Sequence, residues 1–350
     1  MRLSELAQGR DNNFQLIRFL AATAVILFHC YALTNRWTDE PLWRLAPELN
    51  LGALGVQCFF VVSGFLVTRS WLDRRRLVQF VAARALRIYP ALACATAVSI
   101  ALAAWSSTMP LPAFLADPAT ADYAWRTALG WTFRDRLPGA FATNPFPHGV
   151  NGSLWTLPIE LRLYVVIALA GTIGLVGRRC LWLAALLAAG ALFFARPDLL
   201  PLEPNDGVTR NLVLLFMLGS VACAWRASLP VSLAGLGVAL ALVVANPFAL
   251  GRGALFPWLL AYAVLVVAYH PRLTWRAFNR VGDYSYGLYI YAFPLQQTLV
   301  ARLPGLEPLA LFAWSLPLTL ALSVASWHLL EQPALGLKSR FHGKPTAKPE

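Results

Sequence analysis

The chain has 350 residues, of which 58% are hydrophobic and 13% charged, and its mean hydropathy is +0.57. Soluble domains carry about 25% charged residues, so this composition excludes an ordinary soluble protein and predicts an all-α, polytopic integral membrane protein. The net charge of +12 is not gathered in a compact basic domain with interleaved aromatic residues. We therefore predict loop arginines that set membrane topology, and no nucleic-acid partner.

Apolar runs of the length needed to cross a bilayer, about 20 residues, recur along the chain. They lie near 14–35, 51–72, 88–109, 153–176, 181–196, 209–226, 230–246, 253–270, 283–303 and 308–330. They predict about ten transmembrane helices in one domain, 1–335, followed by a basic cytoplasmic tail, 336–350. Because 181–196 is short and 283–303 is polar, nine or eleven helices are the alternatives.

Lysine and arginine predict the orientation of these helices. The loops on the side of both termini carry about twice as many of them as the opposite loops, which places both termini in the cytoplasm. No cleavable signal peptide is evident, so we expect the first helix to be retained. The outer segment 110–152 exceeds ordinary connector lengths, and we expect it to fold over the outer end of the helices.

Two ionisable side chains, Arg18 and His29, lie in the first apolar run, NNFQLIRFLAATAVILFHCYAL. Ionisable groups cost roughly 2.5–3.5 kcal/mol or more at the centre of a bilayer, so they are rare there and usually functional. Eleven positions apart, they share one helix face at an axial separation of ~16 Å. Histidine is a common general base and arginine suits phosphate or carboxylate. This pairing predicts an enzyme that works inside a membrane.

Glu160 lies in NGSLWTLPIELRLY, about seven residues from the outer end of its run, and His29 lies about fifteen residues into the first run. Both then fall in the outer half of the bilayer. A carboxylate near an imidazole orients it and raises its basicity. The alternative is a structural ion pair of Glu160 with Arg162 or Arg18.

Arg84 and Arg87, in FVAARALRIYPAL, stand three residues apart at the predicted cytoplasmic start of the third helix. At that spacing they share a face, and two guanidinium groups there would hold a phosphorylated ligand. Anionic lipid head groups are the other candidate partners of these two arginines. For the three arginines at 74–76, lipid head groups are the favoured partners.

Two further segments combine polar and small residues. Ser63-Gly64, in the second run, predicts close helix packing, and without a GxSxG motif Ser63 is not predicted to be a nucleophile. Asp283 and Tyr286 open VGDYSYGLYIYAFPL, where polar residues indicate either a cavity or the interfacial aromatic belt. No CxxC, HExxH or GxxxxGK[ST] motif occurs, so we expect neither a disulfide framework nor a metal site.

Six of these segments together resemble acyltransferase family 3, a family of bacterial membrane O-acyltransferases. The similar segments, in order and at fitting spacings, are 12–29, 55–67, 84–87, 153–164, 281–295 and 331–333. The resemblance implies transfer of an acyl group, most commonly acetyl, from cytoplasmic acyl-CoA to a hydroxyl of a surface polysaccharide or lipid-linked glycan. It places the protein in the bacterial inner membrane, in contact with lipids, and leaves the oligomeric state open.

The resemblance also implies a donor site. Arg84 and Arg87 would hold the CoA phosphates, with Ser63 and Tyr286 in the same site. Arg18 would guide the pantetheine arm or the thioester carbonyl. The thioester itself supplies the driving force, so no metal or redox cofactor is needed.

The catalytic roles implied by the resemblance fall on His29 and Glu160. His29 would take the proton of the acceptor hydroxyl or carry the acyl group itself. Glu160 would orient His29 or balance its charge. Gln15 stands where the family often carries an aspartate, so a carboxylate partner for Arg18 is in question.

Two other classes of function stay open. In a transporter or flippase for an anionic or lipid-linked molecule, Arg18, His29 and Glu160 would form a proton relay. A catalytically silent scaffold or sensor is the second alternative. Release of free thiol from acetyl-CoA distinguishes an acyltransferase from both.

Overall fold

The structure is a computed structural model that describes residues 1–7, 11–46, 49–196, 206–245 and 255–341. Within these ranges the regular elements are all helices. Extended contacts are limited there to two isolated bridges, between Arg2 and Pro230 and between Ser107 and Ala140. The predicted all-α fold is confirmed.

Ten principal helices of the described chain follow the ten predicted apolar runs. They are α1 (Phe14–Leu33), α2 (Leu51–Arg74), α3 (Leu77–Trp105), α4 (Leu157–Thr172), α5 (Arg179–Ala195), α6 (Gly207–Ala224), α7 (Leu233–Ala245), α8 (Phe256–Tyr269), α9 (Ser285–Arg302) and α10 (Pro308–Ser326). Six segments, those of α1, α2, α3, α4, α6 and α10, are long and apolar enough to cross a membrane. Since α5, α7 and α8 are shorter and α9 is more polar, the count of ten crossings stays a prediction.

The helix α3 begins at Leu77, well before the predicted start near residue 88. A sharp turn at Arg75, whose φ of 52° is left-handed, separates it from α2. Phe80 in its first turns is buried against Trp71 of α2, with ring centroids 5.3 Å apart, and this contact anchors the additional stretch. Arg84 and Arg87 therefore lie inside the helix, on one face.

The central helix of the bundle is α2, which packs most extensively against α6 and α1. Glycines permit these close crossings. A Cβ on Gly64 would collide with the backbone of Phe216 in α6, and a Cβ on Gly219 would collide with the backbone of Val61 in α2. Small residues at such crossings let helix backbones approach. The predicted packing role of the Ser63-Gly64 pair is therefore confirmed at Gly64.

Buried amides fix the depth of α9 in the bundle. Gln296 Nε2 donates to the Ile26 carbonyl of α1 at 2.9 Å. Asn151 Nδ2, in the segment before α4, donates to the Ile290 carbonyl of α9 at 2.9 Å. Because polar groups at membrane depth must find partners within the protein, these bonds specify how α9 sits against its neighbours.

The segment 110–152 packs on the C-terminal parts of α3 and α9, in agreement with the expectation that it folds over one end of the bundle. It contains the short helices Leu111–Ala116 and Pro118–Leu129. Further on, Asn144 Nδ2 donates to the Gln297 side chain at 2.8 Å, and Gln297 Nε2 donates to the Gly149 carbonyl at 2.7 Å. These bonds hold the segment against the membrane helices.

Beyond α10 the chain continues through a π-helical turn, Trp327–Glu331, into the short helices Gln332–Gly336 and Leu337–Phe341. The predicted boundary between domain and tail at 335/336 falls inside this helical stretch, whose last turn packs on α3. The remainder of the predicted tail, 342–350, lies outside the described residues. The cytoplasmic placement of this end stays a prediction.

The crossing of α2 and α6 gives a stability test. Gly64→Ala places a methyl group against the Phe216 backbone, so one helix must move, and overpacking of this kind costs about 1–3 kcal/mol. We expect a lower unfolding temperature in detergent, followed by intrinsic fluorescence.

The matched control is Gly190→Ala in α5, where an added Cβ meets no atom of the described residues within 4 Å. It should leave the unfolding temperature unchanged or raise it, since alanine is the better helix former by about 1 kcal/mol. Equal behaviour of the two variants would contradict the packing assignment.

Candidate active site

A cavity of about 120 Å³ lies between α1, α2, α3, α4 and α9. Its polar lining includes Arg18, Ser63, Arg84, Arg87, Glu160, Tyr164, Ser285, Tyr286 and Tyr289. We call it the arginine cavity. Six of the seven predicted site residues line it, and His29 is the exception.

A buried charge network forms one wall of the arginine cavity. Arg18 Nη1 lies 2.7 Å from Asp283 Oδ2, and Arg87 Nη2 lies 2.8 Å from the same oxygen. Arg87 Nη1 is also 3.0 Å from Glu331 Oε2. Two cations meet two carboxylates, so the network is balanced in charge, as buried ions require. The partner of Arg18 that Gln15 put in question is therefore Asp283.

The π-helical turn Trp327–Glu331 places Glu331 in this network. The Glu331 side chain is fully buried, and its other oxygen accepts a hydrogen bond from Ser326 Oγ at 3.2 Å. Extra-residue turns of this type are rare and recur at functional sites. Here the turn brings the end of α10 to the face of α3 that carries Arg87.

Arg84 differs from Arg87 although both line the cavity. Among the cavity arginines, it alone has no ion pair or hydrogen bond to a described residue, and its Nε is buried without a partner. Its guanidinium lies over the Tyr164 ring, 5.9 Å from the centroid. Glu160 acts on the Arg84 charge without pairing with it, and a buried cation without a bonded anion is costly, so the site favours an anionic group near Arg84. The predicted arginine pair thus divides into one structural cation and one available for a ligand.

Glu160 lies in the first turn of α4, where the helix dipole favours a negative charge. Its Oε1 accepts hydrogen bonds from Ser63 Oγ at 2.6 Å and from the Tyr164 hydroxyl at 2.5 Å. It therefore faces the arginine cavity, and no contact in the described chain joins it to His29. No hydrogen bond among the described residues supports the predicted role of Glu160 in orienting His29. The alternative role, in which Glu160 balances the charge of His29 from a distance, stays a prediction.

Tyr286 lies deep in the bundle on the first turn of α9. Its hydroxyl donates to the Ile88 carbonyl of α3 at 3.2 Å, and the Arg87 guanidinium lies over its ring, 5.6 Å from the centroid. The sequence left two interpretations of this polar segment, a cavity lining and the interfacial aromatic belt. Tyr286 lines the arginine cavity, which agrees with the first.

His29 lines a second cavity, of about 270 Å³, with Phe28, Asn50, Gln57, Ser153 and Trp155 among its other walls. We call it the histidine cavity. The imidazole packs edge-on against Phe293 of α9, with ring centroids 5.0 Å apart and planes at 82°. Its Nδ1 is buried and has no hydrogen-bond partner.

The two cavities are neighbours, separated by a thin partition. Val56 and Tyr289 line both of them. The 3₁₀ turn Gly152–Thr156 alternates between them, since Leu154 and Thr156 line the arginine cavity whereas Ser153 and Trp155 line the histidine cavity. Thr156 Oγ1 and the Tyr289 hydroxyl are hydrogen-bonded at 2.7 Å.

The described residues include no group of three or more histidine, cysteine, aspartate or glutamate side chains that would hold a metal ion. The expectation that the reaction needs no metal stays a prediction.

Four residues of the site were not assigned a role from the sequence. Asp283 and Glu331 pair with arginines, Tyr164 bonds Glu160, and Tyr289 forms the partition. A carboxylate inside or beside an apolar run is a usable signal, because it must find a partner, and it applies to both acids. Tyr164 ends the segment 153–164 that resembles the family, whereas nothing in the sequence distinguishes Tyr289 from the other tyrosines.

The fold and the two cavities define a class: multi-pass helical membrane proteins with ionisable groups held inside the bundle. Residues 11–328 match the sequence profile described as an acyltransferase domain, so the chain belongs to acyltransferase family 3.

Two similar proteins illustrate the family. An O-acetyl transferase of Shigella phage Sf6 is 29% identical over 92% of this chain and 96% of its own length. Nodulation protein 10 of Rhizobium leguminosarum bv. viciae is 29% identical over 96% of both chains. No solved protein structure matches the chain.

The charge network gives a second stability test. Asp283→Asn removes the carboxylate shared by Arg18 and Arg87, and breaking a buried ion pair typically costs about 3–5 kcal/mol. We expect a large fall in the unfolding temperature or in the folded yield, measured by size-exclusion chromatography after a heating series.

Asp122→Asn is the matched control. Asp122 pairs with Arg126 at 2.5 Å but is 38% exposed, and such surface pairs contribute about 0–1 kcal/mol. A similar loss in both variants would show that the buried network is not the stabilising element.

Proposed function

We propose that this family member is an acyl-CoA-dependent O-acyltransferase of the bacterial inner membrane, with both termini in the cytoplasm. It transfers an acyl group, in the first place acetyl, to a hydroxyl of a surface polysaccharide or a lipid-linked glycan. The observation that carries the proposal is the adjacency of two cavities, one with an arginine that has no ion pair to a described residue and one lined by histidine. Membership of the acyltransferase family supports the reaction type.

In this proposal the arginine cavity takes the donor. Arg84, which lacks an anionic partner in the described chain, binds a phosphate of CoA. Arg74 and Lys338 lie close enough to Arg84 to interact with its charge, and they extend the positive field around it. Arg87 contributes to the same field while Asp283 and Glu331 hold it in place. Phosphate groups bind well to such clusters because charge-assisted hydrogen bonds are strong.

The remaining donor-site residues line the same cavity as Arg84. Arg18, fixed by Asp283, guides the thioester carbonyl or the pantetheine amides. Ser63 and Tyr286 present hydroxyl groups to the same narrow volume. An extended pantetheine arm would then carry the acyl group towards Tyr289, behind which lies His29.

His29 performs the transfer at the partition. As the acceptor hydroxyl oxygen attacks the thioester carbon, His29 takes the hydroxyl proton. The C–O ester bond forms, the C–S bond breaks, and the proton passes to the departing thiolate to give free CoA. In the alternative order, a nitrogen of His29 is acylated first and the hydroxyl then displaces it. Both orders use the same residues and give the same products.

Glu160 acts on the donor side of the partition. Its carboxylate, fixed by Ser63 and Tyr164, is the negative charge that faces Arg84, and it also offsets the positive charge that His29 carries after taking the proton. Electrostatic effects of this kind extend across several ångströms in a low-dielectric interior.

The first activity test compares cells carrying wild-type protein, His29→Ala, His328→Gln or no protein. Mass spectrometry of surface polysaccharide should show an ester-sized shift with wild type and with His328→Gln, an exposed histidine outside both cavities. Because His29 moves the proton, the shift should disappear with His29→Ala at equal membrane expression.

Survival of the ester with His29→Ala would overturn the catalytic assignment. If wild type forms no ester and releases no thiol from acetyl-CoA, yet drives proton-coupled flux, the transporter alternative replaces the enzyme.

The second test addresses the donor site. Arg84→Gln removes a charge-assisted contact worth about 1.5–3 kcal/mol, so KM for acetyl-CoA should rise roughly 10- to 150-fold. Arg126→Gln, at an exposed surface pair, should leave KM unchanged. Thiol release from acetyl-CoA measures both, and an unchanged KM with Arg84→Gln would contradict the phosphate contact.

A further inference from the structure

Three buried polar atoms without a partner among the described residues belong to side chains that line the histidine cavity. They are Gln57 Oε1, Ser153 Oγ and His29 Nδ1, all on side chains that line this cavity. Gln57 is 7% exposed and Ser153 2% exposed, so bulk water does not serve them. A buried polar group left without a hydrogen bond costs about 1–3 kcal/mol. Three of them around one space indicate a polar occupant.

The rest of the lining specifies what kind of occupant fits. Apart from His29 the described walls carry no ionisable acid or base other than the Tyr289 phenol, in contrast to the arginine cavity. Phe28, Trp155 and Leu212 offer apolar surface. A neutral ligand with several hydroxyl groups and an apolar face fits both the polar and the apolar side chains of this lining. A sugar ring has that chemistry.

The size of the cavity agrees with such a ligand. Its volume of about 270 Å³ is several times the ~30 Å³ share of one water molecule. A Cβ on Gly52 would collide with the Phe28 ring, so the glycine at this wall lets Phe28 lie against α2. The space therefore has room for one ring-sized group beside His29.

We propose that the histidine cavity is the acceptor site, and that Gln57 and Ser153 recognise a sugar hydroxyl next to the one that reacts. Gln57 Oε1 accepts a hydrogen bond from that hydroxyl, Ser153 Oγ completes its coordination, and Trp155 packs on the apolar face of the ring. This inference rests on the proposed acyltransferase function and adds its specificity-determining residues. Gln57 and Ser153 thereby select which hydroxyl reaches His29.

The test separates acceptor binding from donor binding. Membranes containing the full-length protein receive radiolabelled acetyl-CoA and one of two acceptor probes from cells that lack the protein. One probe is delipidated surface polysaccharide and the other is solvent-extracted lipid-linked saccharide. The probe that becomes labelled identifies the source of the sugar, and KM is then measured separately for that probe and for acetyl-CoA.

Gln57→Met and Ser153→Ala each remove one hydrogen-bonding group with little change of shape. We expect each to raise KM for the acceptor about tenfold, the effect of one lost hydrogen bond, with KM for acetyl-CoA within twofold of wild type. The control is Thr319→Val in α10, because Thr319 Oγ1 is also buried and unpartnered but lines neither cavity. It should change neither KM.

Several results would overturn the inference. An acceptor KM unchanged in both variants removes Gln57 and Ser153 from recognition, and an equal rise of both KM values shows a general distortion. Partial misfolding lowers the maximal rate and leaves KM intact. A variant without any transfer is tested for thermal protection by acetyl-CoA, and loss of that protection also overturns an acceptor-specific role. If wild type labels neither probe, the proposed function fails first and the acceptor site fails with it.

Discussion

The arrangement of the site depends on the carboxylate of Asp283, which is shared between Arg18 and Arg87. Inside a membrane bundle an arginine is tolerated only where a partner meets it. This single carboxylate, which lies just before α9, therefore holds Arg18 near the start of α1 and Arg87 of α3 in place. Through Arg87 it also fixes Glu331 and the π-helical turn beyond α10. The network leaves Arg84 as the cavity arginine without an ion pair to a described residue.

The two cavities share walls, but the lining of one is charged and that of the other is largely neutral. Three arginines and the Glu160 carboxylate line one, and neutral polar and aromatic groups surround His29 in the other. This difference suits a reaction between a charged and a neutral substrate, because the charged lining favours the first and the neutral lining favours the second. The alternation of side chains along Gly152–Thr156 lets a single turn of backbone contribute to both linings.

The sequence predicts the elements well because apolar runs at membrane depth leave helices as the available structure. It also identifies six lining residues of the arginine cavity, since ionisable groups in apolar segments are conspicuous and the family resemblance adds Ser63 and Tyr286. It does not predict which groups meet. Arg18 and Asp283 lie at opposite ends of the chain, and their pairing follows from how α9 packs on α1. For the same reason the sequence placed Glu160 beside His29 by depth alone, whereas rotation of α4 turns it towards Ser63 and Tyr164.

The partition formed by Val56, Tyr289 and Thr156 has a consequence for the membrane itself. A continuous water-lined passage through both cavities would let protons and small ions leak across the bundle and dissipate the gradients that the cell maintains. The bond between Thr156 and Tyr289 holds an aromatic ring where such a passage would run. A closed partition of this kind preserves the electrical insulation of the bilayer, whichever ligands the two cavities hold.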